Sequence, residues 1–478
     1  MLAEWYSWIV TAVAIWSLFF SFYVVSQRRP PASTIAWILT LSFLPLLGFL
    51  VYYFLGPRRF DRKKRRRAAA QQAVLGASVK GLEIPTSHVQ AQEEGPARFL
   101  IKMNAGALGA SATLRRASLT PYFAGIDKYS DLVADIEAAT IHINMEYYIW
   151  EPDQIGTRLR DALTERAKAG VEVRLHLDGV GSAQAGKRFW RSLTEAGGKV
   201  VHFNRFAIRR RSGNFRTHRK IVVIDGRIGY SGGMNITDVH SSEFSGDSAW
   251  RDTHLRLEGP AVRGLQIVFN EGWFDSTQEI LEGKKFFPAH KDVPDEAPCL
   301  QVVSSGPDEN RNAVHKLLAT SIFACTDRVY LTTPYFVPDP TTCDALTAAA
   351  LRGADVRIMV PKKNDLKVIG AASRSYYPQL LDMGVRIFEY GPQMVHAKTL
   401  VVDELLAVIG TANADNRSFR LNFEVVVATY DGPLCQRLVE EFERDLKKTE
   451  EVTKETLKAY GKPRRLGQSF ARLISPLL

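Results

Sequence analysis

The sequence predicts an α/β protein with two tandem domains related by a pseudo-twofold axis, preceded by an N-terminal hairpin of two transmembrane helices. Three observations support this: the order of strands and helices repeats in the second half, a short polar motif occurs once in each half, and two apolar stretches open the chain. The 478 residues are enough for two globular domains and additional segments. With 46% hydrophobic and 24% charged residues, the composition excludes a largely disordered or fibrous protein.

The two apolar stretches cover residues 5–26 and 35–55. About 20 apolar residues at ~1.5 Å rise per residue span a bilayer core. The second stretch contains Pro45 and Gly48. A cleaved signal peptide is a poor alternative, because no basic segment precedes the first stretch and a second one follows it.

The positive charge is concentrated at the N-terminus. Residues 1–67 contain ten Lys and Arg against two acidic residues, which is +8 of the net charge of +11. Eight of these basic residues follow the second apolar stretch, so we expect that end, and with it the body of the chain and both termini, in the cytoplasm. The run at 62–67 either attracts anionic lipids or only sets the topology. The remaining +3 on residues 68–478 argues against a nucleic-acid partner.

The body is predicted to contain a linker or entry segment at 68–120, a first domain at 121–290 and a second domain at 291–478. Strands are expected at 141–149, 171–177 and 199–203, with helices in 156–169 and 189–196. Residues 328–337, 353–360 and 385–389 repeat the three strands in order. This alternation predicts mixed or parallel sheets flanked by helices. The four cysteines are far apart in the sequence, which favours free thiols over a metal cluster.

The repeated motif is His-x-Lys-x-x-x-x-Asp. It is formed by His218, Lys220 and Asp225 in the first half, and by His396, Lys398 and Asp403 in the second half. Each copy is followed by a turn of small residues that ends in an asparagine, Asn235 and Asn413 respectively. Two unrelated strand-and-turn segments are a poor explanation for both matches.

The residue types of the motif suit phosphate chemistry. A His and a Lys two positions apart on a strand point to the same face, so two such halves would bring two imidazoles and two ammonium groups together. The two Lys and two Asn would bind a tetrahedral anion such as phosphate. One neutral imidazole could attack phosphorus while the other, protonated, supplies a proton to the leaving oxygen. This chemistry requires no metal and no cofactor.

Each histidine needs a partner that orients its ring. Asp252 lies 34 residues after His218, and Glu424 lies 28 residues after His396, so we expect each to orient the histidine of its own half. A surface carboxylate is the alternative for either residue. Asp225 and Asp403 end their strands, a position that favours fixing the turn. Structural roles are expected for four histidines that lack the motif, His202, His240, His254 and His290. No role is assigned to His315.

At these residues the sequence resembles the phospholipase D superfamily, in particular its bacterial cardiolipin synthases. Further blocks carry the resemblance, at 146–148, 232–236, 333–339 and 410–424. Gly233 and Thr411 depart from the serine that is common in the wider superfamily, but they fit this branch. The resemblance implies two phospholipase D-like domains and places all six motif residues, including Asp225 and Asp403, in the catalytic set.

The resemblance also implies the reaction and its location. One phosphatidylglycerol is attacked, glycerol leaves, and a phosphatidyl-histidine passes the phosphatidyl group to a second phosphatidylglycerol at the bacterial inner membrane. By analogy His218 is the nucleophile and His396 the general acid and then base, although the motif itself leaves that order open.

Other functions remain compatible with parts of the sequence. A phospholipase D that hydrolyses lipid, or that uses another alcohol, would need the same catalytic set. A nuclease of the superfamily and a membrane-anchored binding protein with an inactive site fit the charge and the intact motifs less well. The Arg-rich segment at 205–216 could bind head groups or be a solvated loop. The apolar C-terminus at 470–478 could dock on the body, which is slightly favoured, or contact the membrane.

Overall fold

The structure is a computed structural model that describes residues 2–27, 31–55, 95–108, 112–204, 215–290, 294, 297–307, 311–430 and 432–473. The chain divides into two compact units, residues 1–62 with 207–213, and residues 63–206 with 214–478. The basic run at 62–67 and most of the Arg-rich segment, apart from Phe215 and Arg216, lie outside the described residues.

The N-terminal unit contains three helices, α1 (Leu2–Val25), α2 (Pro31–Phe43) and α3 (Pro45–Leu55). By length and composition, α1 could cross a membrane over Trp5–Val25, where its mean hydropathy is 2.0. The second predicted span is divided into two helices of 13 and 11 residues, because Pro45 lacks the N–H that a continuous helix needs and instead begins α3. A single candidate span is therefore found among the described residues, and the two-span hairpin stays a prediction.

The first half of the body forms a seven-stranded sheet with the order β2-β9-β8-β7-β3-β4-β5. Its strands are β2 (Ser118–Tyr122), β3 (His142–Tyr147), β4 (Glu172–Asp178), β5 (Lys199–Phe203), β7 (Ile221–Ile224), β8 (Ile228–Gly232) and β9 (His254–Glu258). Strands β3, β4 and β5 are parallel and the other pairs are antiparallel.

The second half forms a ten-stranded sheet with the order β1-β10-β18-β16-β15-β11-β13-β14-β19, and β6 pairs with β18. Its strands are β1 (Arg115–Arg116), β6 (Arg216–Thr217), β10 (Cys299–Ser305), β11 (Arg328–Thr332), β13 (Asp355–Pro361), β14 (Arg386–Tyr390), β15 (Thr399–Val402), β16 (Leu406–Gly410), β18 (Asn422–Thr429) and β19 (Thr449–Val452). A small parallel pair is formed by β12 (Phe336–Val337) and β17 (Ala414–Asp415).

The two sheets repeat one topology. The order β2-β9-β8-β7-β3-β4-β5 corresponds strand by strand to β10-β18-β16-β15-β11-β13-β14, with the parallel strands at equivalent places. The mixed α/β fold and its duplication are thus confirmed. The segment predicted as linker contributes β1 to the second sheet, β2 to the first, and a helix, α4 (Arg98–Leu108), to the core of the second half.

Helices flank both sheets. In the first half they are α5 (Gly125–Ala138), α6 (Gln154–Lys168), α7 (Arg191–Glu195), α8 (Ser242–Ser245) and α9 (Val262–Thr277). In the second half they are α10 (Ala313–Ala324), α11 (Pro340–Leu351), α12 (Lys367–Arg374), α13 (Tyr377–Asp382), α14 (Asn416–Arg420), α15 (Gly432–Leu446), α16 (Lys454–Lys458) and α17 (Lys462–Leu473).

Alternate side chains of the motif strands pack in different cores, and one of these cores is shared by the two halves. In β7, Val222 and Ile224 pack in the core of the first half, whereas Ile221 and Val223 face a core shared with the second half. In β15, Val401 lies in the same shared core. Both strands are therefore buried on two faces, which fixes where the polar residues just before them must lie.

Candidate active site

Both His-x-Lys pairs lie at the entrance to a buried strand. His218 and Lys220 directly precede β7, and His396 and Lys398 directly precede β15. All four side chains are buried, with at most 7% of their surface exposed. The lysines were predicted to lie on the strands, but each lies one residue before its strand and each histidine three residues before it. The strands hold both pairs at the junction of the two halves.

The main chain ties each histidine to the opposite half. The N–H of His218 donates to the carbonyl of Phe423 at 2.9 Å, and the N–H of His396 donates to the carbonyl of Arg251 at 2.6 Å. Phe423 and Arg251 are the residues before Glu424 and Asp252. Each hydrogen bond therefore brings a carboxylate of one half beside the histidine of the other.

The orienting pairs are accordingly crossed. His218 Nδ1 lies 3.1 Å from both carboxylate oxygens of Glu424, and His396 Nδ1 lies 2.6 Å from Asp252 Oδ2. Both carboxylates predicted as orienters contact a motif histidine, but each contacts the histidine of the opposite half, so the expectation that each serves its own half was wrong. Distance along the sequence does not reveal the cause, which is the main-chain pairing between the halves.

The two lysines adjoin the imidazoles. Lys220 Nζ donates to the carbonyl of His218 at 2.9 Å, and Lys398 Nζ lies 2.9 Å from His396 Nδ1. Burial lowers the pKa of Lys220 to about 7, with the charge of Lys398 acting in the same direction. Burial also lowers the pKa of Lys398 to about 8. An anion placed between them would favour both charged forms, so the site is built to accept one.

Burial lowers the pKa of both motif histidines. It lowers the pKa of His218 to about 4, although Glu424 acts to raise it. Burial, together with Lys398 and Lys220, lowers the pKa of His396 well below its ordinary value, and burial raises the pKa of Asp252. The carboxylates occupy the Nδ1 side of each ring, which leaves Nε2 of His218 for chemistry, and Nε2 of His396 lies 3.1 Å from Lys398 Nζ.

Asp225 and Asp403 lie at the opposite ends of their strands. Asp225 accepts backbone N–H groups of Thr140, Ile141 and His142 at 2.8 Å each. Asp403 does the same for residues 326–328 at 2.8–2.9 Å. Both have positive φ values, 53° and 51°, as a tight turn requires. Contrary to their place in the catalytic set, these residues fix the hairpin turn and the start of the neighbouring strand.

The two asparagines lie at equivalent buried turns. Asn235 Oδ1 is 3.4 Å from the N–H of Ile149, and Asn413 Oδ1 has no hydrogen-bond partner among the described residues. Thr411 and Gly233, which replace the serine common in the wider superfamily, have different effects on the two carboxylates. Thr411 Oγ1 donates to Glu424 at 2.5 Å, whereas a Cβ at Gly233 would lie only 2.0 Å from Asp252 Oδ1. Gly233 therefore leaves the space that Asp252 occupies.

His240, for which a structural role was expected, lies beside Asp252 and His396. Its Nδ1 lies 3.6 Å from Asp252 Oδ2, and its ring centroid lies 5.4 Å from that of His396. A spacing of 22 residues from the motif histidine leads to His240 in the first half and to Ser418 in the second. A comparison of the two halves at this spacing is the sequence evidence that could have identified His240 as a site residue.

His240, Asp252 and His396 place potential ligand atoms within 4.8 Å of one another. The ammonium group of Lys398 beside His396 opposes a cation at this position. The geometry suits hydrogen bonding between the rings and the shared carboxylate better than metal coordination.

Comparison with known proteins places the chain among lipid-modifying enzymes. Residues 132–245 and 318–446 match the family described as "Cardiolipin synthase, PLD-like domain", and residues 9–57 match the family "Phospholipase_D-nuclease N-terminal". Cardiolipin synthase 1 of Bacillus cereus is 34% identical over 98% of this chain and 93% of its own length. Cardiolipin synthase of Geobacillus sp. is 36% identical over 96% of this chain and 92% of its own.

One solved structure has the same fold over most of the chain. The phosphatidylserine synthase of Haemophilus influenzae has a TM-score of 0.59 at 16% identity, covering 80% of this chain and all of that one.

Proposed function

Because this chain belongs to the cardiolipin synthase family of the phospholipase D superfamily, we propose that it joins two phosphatidylglycerol molecules through the two crossed His–carboxylate pairs. Its family makes it a membrane-associated phosphatidyltransferase that acts on phospholipids. The observation that carries the proposal is the convergence of both His-x-Lys pairs, one from each half, at one buried site. The two catalytic domains are proposed at 121–290 and 291–478.

In the first step, Nε2 of neutral His218 attacks the phosphorus of one phosphatidylglycerol. Glu424 accepts Nδ1–H and offsets the positive charge that develops on the ring. The bond from phosphorus to glycerol oxygen breaks, and His396, whose protonated form is favoured by the bound phosphodiester anion, gives its proton to that oxygen. The products of this step are glycerol and a phosphatidyl-histidine.

In the second step, His396 acts as the base. It takes the proton from a hydroxyl of a second phosphatidylglycerol while the oxygen attacks phosphorus and the bond to His218 breaks. Cardiolipin is released, His218 is neutral again, and His396 is again protonated. Asp252 supports the imidazolium form of His396 in both directions.

The lysines and asparagines serve the phosphate. Lys220 and Lys398 lie beside the two imidazoles and offset the charge on the non-bridging oxygens as the transition state forms. The unpartnered amide oxygen of Asn413 and the side chain of Asn235 line the adjacent turns. We assign them to positioning of the phosphate or of the acceptor hydroxyl.

We further propose that the N-terminal segment anchors the enzyme as a multi-pass protein with its catalytic body in the cytoplasm. The apolar helix α1 and the eight basic residues at 58–67 support this orientation.

The proposal is tested with purified full-length protein in phosphatidylglycerol vesicles, with products identified by mass spectrometry. Cardiolipin and glycerol in equal amounts are expected, and His218→Ala and His396→Ala should each abolish turnover. Phosphatidic acid as the main product would identify a hydrolase instead. Near-full activity of either alanine variant would refute the shared site.

A further inference from the structure

The C-terminal helix α17 has an apolar face directed away from the body. Leu466, Phe470 and Leu473 follow one another at intervals of four and three residues, and they are 60%, 62% and 74% exposed. The opposite face docks through Ala471, which is buried, and through Arg472, whose guanidinium lies 4.3 Å from the ring of Tyr376. The helix is thus fixed on the body while its apolar stripe remains uncovered.

Basic residues surround this stripe. Residues 454–473 contain six basic residues and one acidic residue, a net charge of +5, which exceeds the +3 of the whole region 68–478. The basic residues are all exposed, and they are Lys454, Lys458, Lys462, Arg464, Arg465 and Arg472. The rest of the body is therefore net acidic, and positive charge is concentrated where the apolar side chains are exposed.

A groove beneath the helix has the same character. Its volume is about 550 Å³, and its lining combines Arg465 and Lys458 with the apolar side chains of Leu457 and Leu473. Two other basic residues of the lining are paired with carboxylates, Arg374 with Glu389 and Lys454 with Asp382. Arg465 and Arg472 donate to backbone carbonyls, which are neutral, so these contacts leave their charge uncompensated.

The helix also lies next to a helix of the second half that begins near the active site. It packs on α12, which begins two residues after Asp365 and bears the exposed apolar residues Leu366 and Val368 at its start. The carboxylate of Asp365 is close enough to the active site to act on the pKa of Lys398. Anionic lipid held at α17 would consequently contact the helix that begins two residues after Asp365.

We propose that the face of α17, with its surrounding basic residues and the groove, is a docking surface for an anionic phospholipid bilayer, separate from the N-terminal anchor. Apolar side chains would enter the acyl boundary while the basic residues contact head-group phosphates, the arrangement by which amphipathic helices lie in a membrane interface. A zwitterionic bilayer offers the same apolar phase without net negative charge, so binding there should be weaker.

The test uses full-length protein reconstituted in vesicles, with an environment-sensitive fluorophore on Phe470→Cys. The native cysteines are buried, and Leu351→Cys, at a 69%-exposed apolar position at the end of α11, is the matched control. With brominated lipids in phosphatidylglycerol vesicles, quenching at position 470 should exceed that at 351 about threefold or more, and the excess should fall in phosphatidylcholine. Equal quenching at both positions, or no dependence on lipid charge, would overturn the proposal.

A second copy of the chain is the competing occupant. Light scattering of the detergent-solubilised protein distinguishes it: if Phe470→Ser dissociates an oligomer, the face is an interface between copies and the lipid proposal is wrong. An unchanged mass together with charge-dependent quenching supports it.

A separate observation concerns His240 and rests on the proposed role of His396. The N–H of Asn235 donates to His240 Nε2 at 3.3 Å, and at the equivalent place the N–H of Asn413 donates to Ser418 Oγ at 3.1 Å. The two side chains thus accept the equivalent backbone N–H in their respective turns. Only the imidazole adds a second group, Nδ1, which is buried without a hydrogen-bond partner among the described residues and lies 3.6 Å from Asp252.

The two carboxylates also differ in their second donors. Glu424 receives a hydroxyl hydrogen bond from Thr411, whereas the corresponding residue in the first half is Gly233, which has none to give. We infer that His240 is a positioning residue that replaces this hydroxyl, with its Nδ1–H directed at Asp252 so that the carboxylate stays aligned with His396. The charged or titratable groups that act on His240 are Lys128, Asp252, His254, His396 and Lys398.

Two substitutions separate the functions of the ring. His240→Ser introduces the hydroxyl that Ser418 has at the equivalent turn, but it loses the donor toward Asp252. His240→Asn keeps an N–H near the place of Nδ1. We expect His240→Ser to lower kcat about tenfold with KM little changed, and His240→Asn to restore most of the rate.

The pH profile gives the second readout. A donor to Asp252 favours its carboxylate form, so its loss should move the acidic limb of kcat to higher pH in His240→Ser. Ser418→Ala, the structural counterpart in the other half, should leave that limb in place. If His240→Ser keeps the wild-type profile while His396→Ala is inactive, this inference fails alone; if His396→Ala is active, the proposed mechanism fails.

Discussion

Replacement of Glu424 by glutamine tests the crossed pairing. Glu424 is fully buried and receives hydrogen bonds from His218, Thr411 Oγ1 and Asn422 Nδ2. Glutamine has nearly the same shape but no charge. A hydrogen bond involving an ionised group contributes about 1.5–3 kcal/mol and a neutral one about 1 kcal/mol, so the positive ring formed during attack loses about 1–2 kcal/mol of stabilisation. The rate of turnover should fall about 5- to 30-fold.

The assay combines this rate with the chemical reactivity of each histidine. Carbethoxylation mapped by mass spectrometry should change at His218 and remain unchanged at His396, because Glu424 contacts the histidine of the other half. Glu389→Gln is the matched control, since Glu389 is a buried carboxylate of the same half that pairs with Arg374. It should lower stability without altering either histidine. A change confined to His396 in Glu424→Gln would refute the crossed arrangement.

Three further predictions follow from the geometry. Because the pKa of Lys220 is about 7 and that of Lys398 about 8, both lose charge as the pH rises through these values, so KM for phosphatidylglycerol should increase between pH 7 and 9 in steady-state assays; a constant KM would contradict a phosphate role. Asp225→Ala removes the acceptor of three backbone N–H groups and should lower the free energy of unfolding by about 2–3 kcal/mol, measured by thermal or denaturant unfolding, with a loss under 0.5 kcal/mol contradicting the turn role. Gly233→Ala should displace Asp252 and reduce turnover at least about tenfold, whereas Gly106→Ala, which meets no atom within 4 Å, should not; equal activities would show that the close approach is unimportant.

The duplicated fold could be predicted because its evidence is local and periodic. Strands such as Ile221–Ile224 are short apolar runs bounded by polar residues, and the same order of runs recurs in the second half. The histidines and lysines that the structure brings together at one buried site could be found for the same reason, since one short pattern occurs twice.

The arrangement of the partners could not be predicted in the same way. Asp252 follows His218 in sequence, but contacts His396 because the backbone at Arg251 pairs with the other half. His240 lacks a neighbouring lysine, and its position is informative only in comparison with Ser418 at the equivalent turn. Pro45 divides the second apolar stretch because it lacks the N–H that a continuous helix needs, and a count of apolar residues does not reveal this effect.

The central claim is that one buried site uses both histidines in turn, with His218 carrying the phosphatidyl group. The most direct measurement is rapid acid-free quenching of the enzyme during turnover of phosphatidylglycerol, followed by mass spectrometry of its histidine-containing peptides. We expect a phosphatidyl adduct on the peptide of His218 that forms with glycerol release and disappears as cardiolipin forms. An adduct on His396, or cardiolipin formation from which a covalent intermediate is absent, would contradict it.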